Sequence, residues 1–403
     1  MRRRHIQLVA MFAASVLLAA ACAKNSDTKA SSSGGVKPNA VTTTSMKSTG
    51  DPVQDATNLL QVAIDGTHRL HPPTSGPLAV KGKKVWIISC GQLLESCKVT
   101  AAAALEAAKK IGWDAQVVDG QLSDAAQADG VTQAVAAGVD GIIMTGIDCS
   151  KVQAPLAAAK AKGIKLISFY AFDCDDPALD QPGAPMLDSN VNFGPQFAKY
   201  GDVSIEWGKV KAEYIISKTK GKAQIIDLVN QDYLVMQYIE KGFLEGLKAC
   251  PDCKVVDAGK WIQSDVLDGK LKEKLAAALQ QHPEATVVHA PIDPLFAFAV
   301  NAPTAGKNLM TIGGEALPGN IDFIRTGIET AAVAFPHVWT GWAAIDTMNR
   351  LFAGEKAADI PDSGIGWQVV DKDHNLPPTG DYVPQVKGQA IDFKAGYAKV
   401  WGV

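Results

Sequence analysis

The sequence predicts an α/β fold of two similar, doubly wound parallel-sheet lobes. Three observations carry this. Short apolar runs rich in β-branched residues alternate with Ala-rich amphipathic stretches of helical length. The first amphipathic stretches close on Gly112, Gly138 and Gly163, as helices returning to a buried parallel sheet commonly do. The opening pattern then recurs: "KKVWIISCGQLLESCKVTAAAALEAAKKIGWDAQVVDG" and "KAQIIDLVNQDYLVMQYIEKGFLEGLKACPDCKVVDAG" both run from strand through helix to "VVD" and a Gly. Two copies, rather than many, make two lobes and not a solenoid.

The elements follow in chain order. Residues 1–22 combine a basic start, "MRRRH", with an apolar run and small residues, the layout of a signal peptide. Leu18-Ala19-Ala20-Ala21-Cys22 is lipobox-like, so Cys22 becomes a lipidated N-terminus; the other reading is plain cleavage after Ala21. Both export the chain. Residues 23–80 begin as a polar tether that cannot bury enough surface to offset its entropy, and end in a short lead-in helix. No later run has eighteen uninterrupted apolar residues to span a membrane. Lobe one takes strands at 85–89, 115–118, 141–145 and 165–170, with helices at 99–111, 125–137 and 152–162. A bridge carries a strand near 186–190 and a helix over 205–218. Lobe two continues with a helix at 267–281, a strand at 285–289, a helix at 294–302 and a strand at 309–313. The later strand and helix in "IETAAVAFPHVWTGWAAIDTMNRLFAGE" come too late to complete lobe two alone. The chain therefore crosses back, assigning 81–193 plus 336–365 to lobe one and 194–335 plus 366–403 to lobe two.

The formal net charge is −3 and no basic stripe exists, which excludes nucleic acid as a partner. In open parallel sheets ligands bind beyond the carboxyl ends of the strands. The first such loop, Cys90-Gly91-Gln92-Leu93-Leu94-Glu95, has one Gly and a carboxylate, and Asn230-Gln231-Asp232-Tyr233 has no Gly; neither can cradle a pyrophosphate. No Walker A, G-x-S-x-G or H-E-x-x-H string occurs, so neither an enzyme nor a cofactor is expected. Seven cysteines leave six once Cys22 is set aside, an even number that suggests disulfides in an exported chain. Cys250-Pro-Asp-Cys253 lacks a second pair with zinc-ligand spacing, so no metal is expected. Cys149 and Cys174 each follow successive strands by four residues, which brings their loops out at one edge. Cys90 and Cys97 face each other across a tight loop. Buried free thiols are the alternative for these pairs. Glu315 follows Gly313-Gly314, which lets the backbone bend and turn the carboxylate toward a cleft.

The signal, the lipobox-like Cys and the tether precede "GKKVWIIS", "AAKKIGWDAQVVDG", "AVAAGVDGIIMTGIDCSKVQAPLAAAKAKGIKLISF" and "IEKGFLEGL". Together these resemble the type I periplasmic solute-binding proteins of ABC importers, in the ribose/galactose branch. The resemblance spans about residues 81–354 and implies two lobes on a three-segment hinge, a monomer that holds a small solute in the cleft, and a membrane permease as partner. It implies contacts from Gln92, Glu95, Asp148 and Tyr170 in lobe one. From lobe two it implies Asn230, Tyr233, Gln237, Ile292, Asp293 and Glu315, with Phe335 and His337 on the floor. The branch usually has Arg where Gln237 stands, Asn where Ile292 stands and a hinge Gln where Phe335 stands. Each change removes polar reach, so a sugar-like solute, a cationic amine and a more apolar solute all remain readings of the site. Asp148 and Asp293 also read as helix N-caps, and Trp339 as core. Delivery to a permease and signalling to a membrane sensor are alternative uses of the same capture.

Overall fold

The computed structural model describes residues 46–197 and 199–403. The expected signal peptide, Cys22 and the first part of the expected tether lie outside the described residues. The lead-in helix α1 (Pro52–Asp65) begins where the Asp51 carboxylate accepts the N–H groups of Val53 and Gln54, and stops at Gly66 in the left-handed conformation.

Lobe one holds β1 (Lys84–Ser89), α2 (Glu95–Ile111), β2 (Asp114–Asp119), α3 (Asp124–Ala136), β3 (Gly141–Thr145), α4 (Gln153–Ala161), β4 (Lys165–Phe169) and β5 (Ser189–Asn190). Its sheet runs β2-β1-β3-β4-β5, all parallel. Strand β3 is buried at every position because helices cover both faces.

Lobe two follows with α5 (Tyr200–Lys218), β6 (Gln224–Asn230), α6 (Leu234–Leu247), β7 (Lys254–Trp261), α7 (Gln263–Leu267), α8 (Lys270–Gln281), β8 (Val287–His289), α9 (Asn301–Thr304), β9 (Met310–Gly314), α10 (Pro318–Thr326) and β10 (Ala331–Ala334). The chain continues through α11 (His337–Phe352), β11 (Gln368–Asp371), the small hairpin β12 (Gln385–Val386) and β13 (Gln389–Ala390), and α12 (Phe393–Trp401). The second sheet runs β11-β10-β9-β8-β6-β7, parallel except that β11 pairs antiparallel with β10. Helices α5 and α6 touch backbone to backbone at Gly208 and Gly242; a Cβ on Gly242 would fall on the Ile205 carbonyl.

Two expected helices differ. The helix expected at 267–281 starts at Lys270 as α8, because Gly269 turns left-handed at φ 75 after the short α7. The helix at 294–302 is π-wound over Phe296–Val300 and then a single turn containing Pro303, which has no N–H to continue the ladder.

The chain crosses between the sheets at β5 to α5, β10 to α11 and α11 to β11, and α11 packs on α2 and β4 of lobe one. Two further passages join the lobes. Helix α1 packs on α5 and β11 before the chain enters β1, and α12 packs on α2 and α11. The segment 366–403, expected wholly in lobe two, therefore divides between the lobes. Its end is drawn to lobe one by aromatic burial: Trp401 stacks on Trp342 and donates its indole N–H to Asp346 at 2.8 Å.

Candidate functional site

The carboxyl ends of both sheets face one cleft, where an open parallel sheet leaves its loops free. A cavity of about 60 Å³ lies there. Lobe one lines it with Leu94, Ser96 and the Cys90 and Cys97 sulfurs after β1, Leu122 after β2, Thr145 and Gly146 at the end of β3, and Tyr170 after β4. Lobe two adds Trp207 of α5, Tyr233, Val235 and Met236 at the start of α6, Gln263 after β7, Ile292 after β8 and Glu315 after β9. His337, first residue of α11 at a crossing between the lobes, completes the lining.

Glu315 is the hub. One oxygen accepts Ser96 Oγ at 2.9 Å and the Asp293 N–H at 3.2 Å. The other lies 3.0 Å from His337 Nε2, at an angle that makes no hydrogen bond. Thr100 Oγ1 stands 2.7 Å from His337 Nδ1. Glu315 has φ 90 and Ala316 φ 52, so this loop is held in a conformation that side chains rarely adopt. Asp293 holds it there by accepting the N–H groups of Gly314 at 2.7 Å and Leu317 at 3.0 Å. Burial, then the neighbouring Glu315 carboxylate, push the Asp293 carboxyl well above the usual range. Behind them Lys211 is fully buried, donates to the Pro291 carbonyl at 2.5 Å, and is lowered by burial to about 8.

The lobes are clasped around this cavity. Asp148 in lobe one accepts the N–H groups of Phe172 at 3.1 Å and of Leu234 in lobe two at 3.4 Å, and burial raises it to about 6. Tyr238 donates to Asp176 at 2.7 Å, and Lys151 sits over the Tyr233 ring at 4.2 Å. Glu95 accepts the Gly319 N–H at 3.4 Å.

Of the residues expected at the solute, Tyr170, Tyr233, Ile292, Glu315 and His337 line the cavity. Others are committed elsewhere. Gln92 donates to Ser89 Oγ, and Asn230 folds its own loop by binding Asp232 and Tyr233. Gln237 is exposed and donates to the Gln231 carbonyl. Asp148 and Asp293 do not cap their own helices through their side chains; each carboxylate ties a neighbouring loop. Phe335 packs against Tyr170, Phe193 and Trp207 and lines a second, adjoining cavity of about 340 Å³ that also touches Glu315 and His337. Trp339 is buried against Phe393. Sequence reasoning missed Ser96, Thr145, Trp207 and Gln263. Thr145 ends β3 and Gln263 follows β7, so both were findable by that rule; Ser96 in α2 and Trp207 in α5 lie within helices and carry no such signal.

Cys149 and Cys174 have Cα atoms 4.9 Å apart, Cys90 and Cys97 5.9 Å, and Cys250 and Cys253 5.3 Å, all within bridging range. Among the described residues no helix is long and apolar enough to cross a membrane.

Two parallel-sheet lobes closing on a cavity, with their loops turned inward, define a two-lobed binding protein. The chain belongs to the family described as the periplasmic binding protein domain, which matches residues 97–356. That family consists of binding proteins rather than enzymes. Similar solved structures include an ABC transporter solute-binding protein from Agrobacterium vitis with bound allitol, at 17% identity and TM-score 0.60, covering 72% of this chain and 96% of that one. Another, from Actinobacillus succinogenes with bound D-allose, shows 20% identity and TM-score 0.60, covering 72% and 98%. A third, from Mycobacterium smegmatis with bound glycerol, shows 19% identity and TM-score 0.59, covering 75% and 100%. No curated protein matches the sequence.

Proposed function

We propose that this is an exported, lipid-anchored binding protein that closes on a small polar solute and delivers it to an ABC permease. The observation that carries the reading is an interlobe cavity lined by Tyr170, Glu315 and His337, on which the buried His337 keeps its Nε2 without a hydrogen bond. Buried polar atoms usually have partners, and a site built for a solute is where exceptions belong. The bound polyols and sugars of the similar structures support a small solute of this kind. Tyr170, Tyr233, Glu315 and His337 are the proposed contacts, and Cys22 the proposed anchor.

A thermal-shift screen over polyols and sugars, followed by small-angle scattering on any hit, tests capture. A solute that binds only the native state raises Tm, and closure lowers the radius of gyration. No shift across sugars, polyols and amines at millimolar concentration would overturn the reading. The anchor is checked separately: Cys22→Ala should move the protein from the membrane fraction to the soluble fraction, and unchanged fractionation refutes lipidation.

A further inference from the structure

We propose that the solute is a small protonated amine with an apolar body, rather than a sugar; this rests on the capture reading above. The argument starts at Thr100. Its Oγ1 donates to the Ser96 carbonyl at 2.7 Å, which commits its only hydrogen. At 2.7 Å from His337 Nδ1 it must therefore accept, and Nδ1 carries the ring hydrogen. Nε2, on the far side of the ring, faces a carboxylate: Glu315 Oε1 lies 3.0 Å away with no hydrogen bond between them. The Tyr170 ring lies 4.8 Å from the imidazole. This corner holds more acceptors than donors, and what it lacks is a donor that brings positive charge. An ammonium group supplies several N–H bonds to carboxylate, imidazole and phenol oxygen together.

The rest of the wall differs in kind. Leu94, Leu122, Val235, Met236 and Ile292 make up much of the remaining lining, with Thr145 and Gln263 among them. A sugar carries hydroxyls around its ring, and each one buried against such a wall would lose water without gaining a partner. An aliphatic body loses nothing there.

The test is calorimetric titration of the full mature chain at pH 7.5 with isobutylamine, its neutral isostere isobutanol, glycerol and D-arabinose. Isobutylamine should bind at least about tenfold more tightly than isobutanol, since a charge-assisted bond separates them. Glycerol and D-arabinose should bind more weakly than either. Glu315→Gln should erase the preference for amine over alcohol, read as the ratio of the two affinities measured on the same variant. If the amine and the alcohol bind alike, or if glycerol or D-arabinose binds better than the amine, the amine assignment is overturned and capture stands. If nothing binds here or in the broader sugar and polyol screen, both fall.

Discussion

The carboxylate of Asp293 carries the loop that presents Glu315. It is fully buried, and its two oxygens receive the backbone N–H groups of Gly314 and Leu317 on either side of the left-handed pair at 315 and 316. Backbone held in that region persists only where its surroundings over-determine it. Removing the carboxylate leaves two buried N–H groups without acceptors, each at about 1–3 kcal/mol. Asp293→Ala should therefore lower unfolding stability by about 2–6 kcal/mol in urea denaturation, and loosen Glu315 as a consequence. An unchanged denaturation midpoint would mean that the loop does not depend on Asp293. Asp148 does comparable work across the cleft, where one carboxylate fastens the loop after β4 and the first turn of α6.

At the scale of elements, the loops after β3 and β4 act as one unit. Gly141 to Thr145 pairs in register with Lys165 to Phe169, so both loops leave the sheet at the same height. The Cys149 N–H donates to the Phe172 carbonyl at 2.9 Å, and Cys174 comes within bridging range of Cys149. We infer that the pair is oxidised in the exported protein, fixing Asp148 and Tyr170 relative to each other. The bridge spans 25 residues, and closing a loop of that length stabilises by roughly 3 kcal/mol in the chain-entropy model. Non-reducing peptide mapping should recover Cys149 and Cys174 in one linked peptide. Recovery of Cys149 as a free thiol from freshly exported protein would rule the bridge out. The double variant Cys149→Ser, Cys174→Ser should lose about 3 kcal/mol without losing the fold.

Across the whole molecule, buried acids set the response to pH. Burial raises Asp227 to about 7, and burial together with the nearby Asp227 raises Glu240 to about 8. Glu213 and Glu329 are pushed well above the usual range, mainly by burial. A raised carboxyl binds its proton in the folded chain at a pH where the unfolded chain has lost it, so stability falls as pH rises toward the folded value. His68 and His289 act oppositely. Burial lowers both to about 3, so they add stability as pH rises from there toward 6.5 and contribute no slope above it. Between pH 6.5 and 8 the acids dominate, opposed by Lys211 only as pH approaches its lowered value of about 8. Stability should fall across that window, by about 2 kcal/mol from Glu240 and Asp227 together. Tm measured from pH 6.5 to 8 checks this; a flat or rising Tm would show that these carboxyls are not buried as described.

What the sequence determined alone was the architecture. Alternating apolar runs and amphipathic stretches, with Gly at helix ends, are local signals whose period is set by backbone geometry, and they place β1 to β4 and β6 to β9 within a few residues. Gly313-Gly314 marked Glu315 for the same local reason. The tertiary structure decided which polar side chains remain free at the cavity. Gln92, Asn230, Asp148 and Asp293 have the chemistry of ligand contacts, but the nearest unpaired N–H or hydroxyl claims them first. Trp207 and Ser96 enter the site only because α5 and α2 pack beside it. That competition runs between groups distant in the chain, and a burial pattern read along one strand or helix does not contain it.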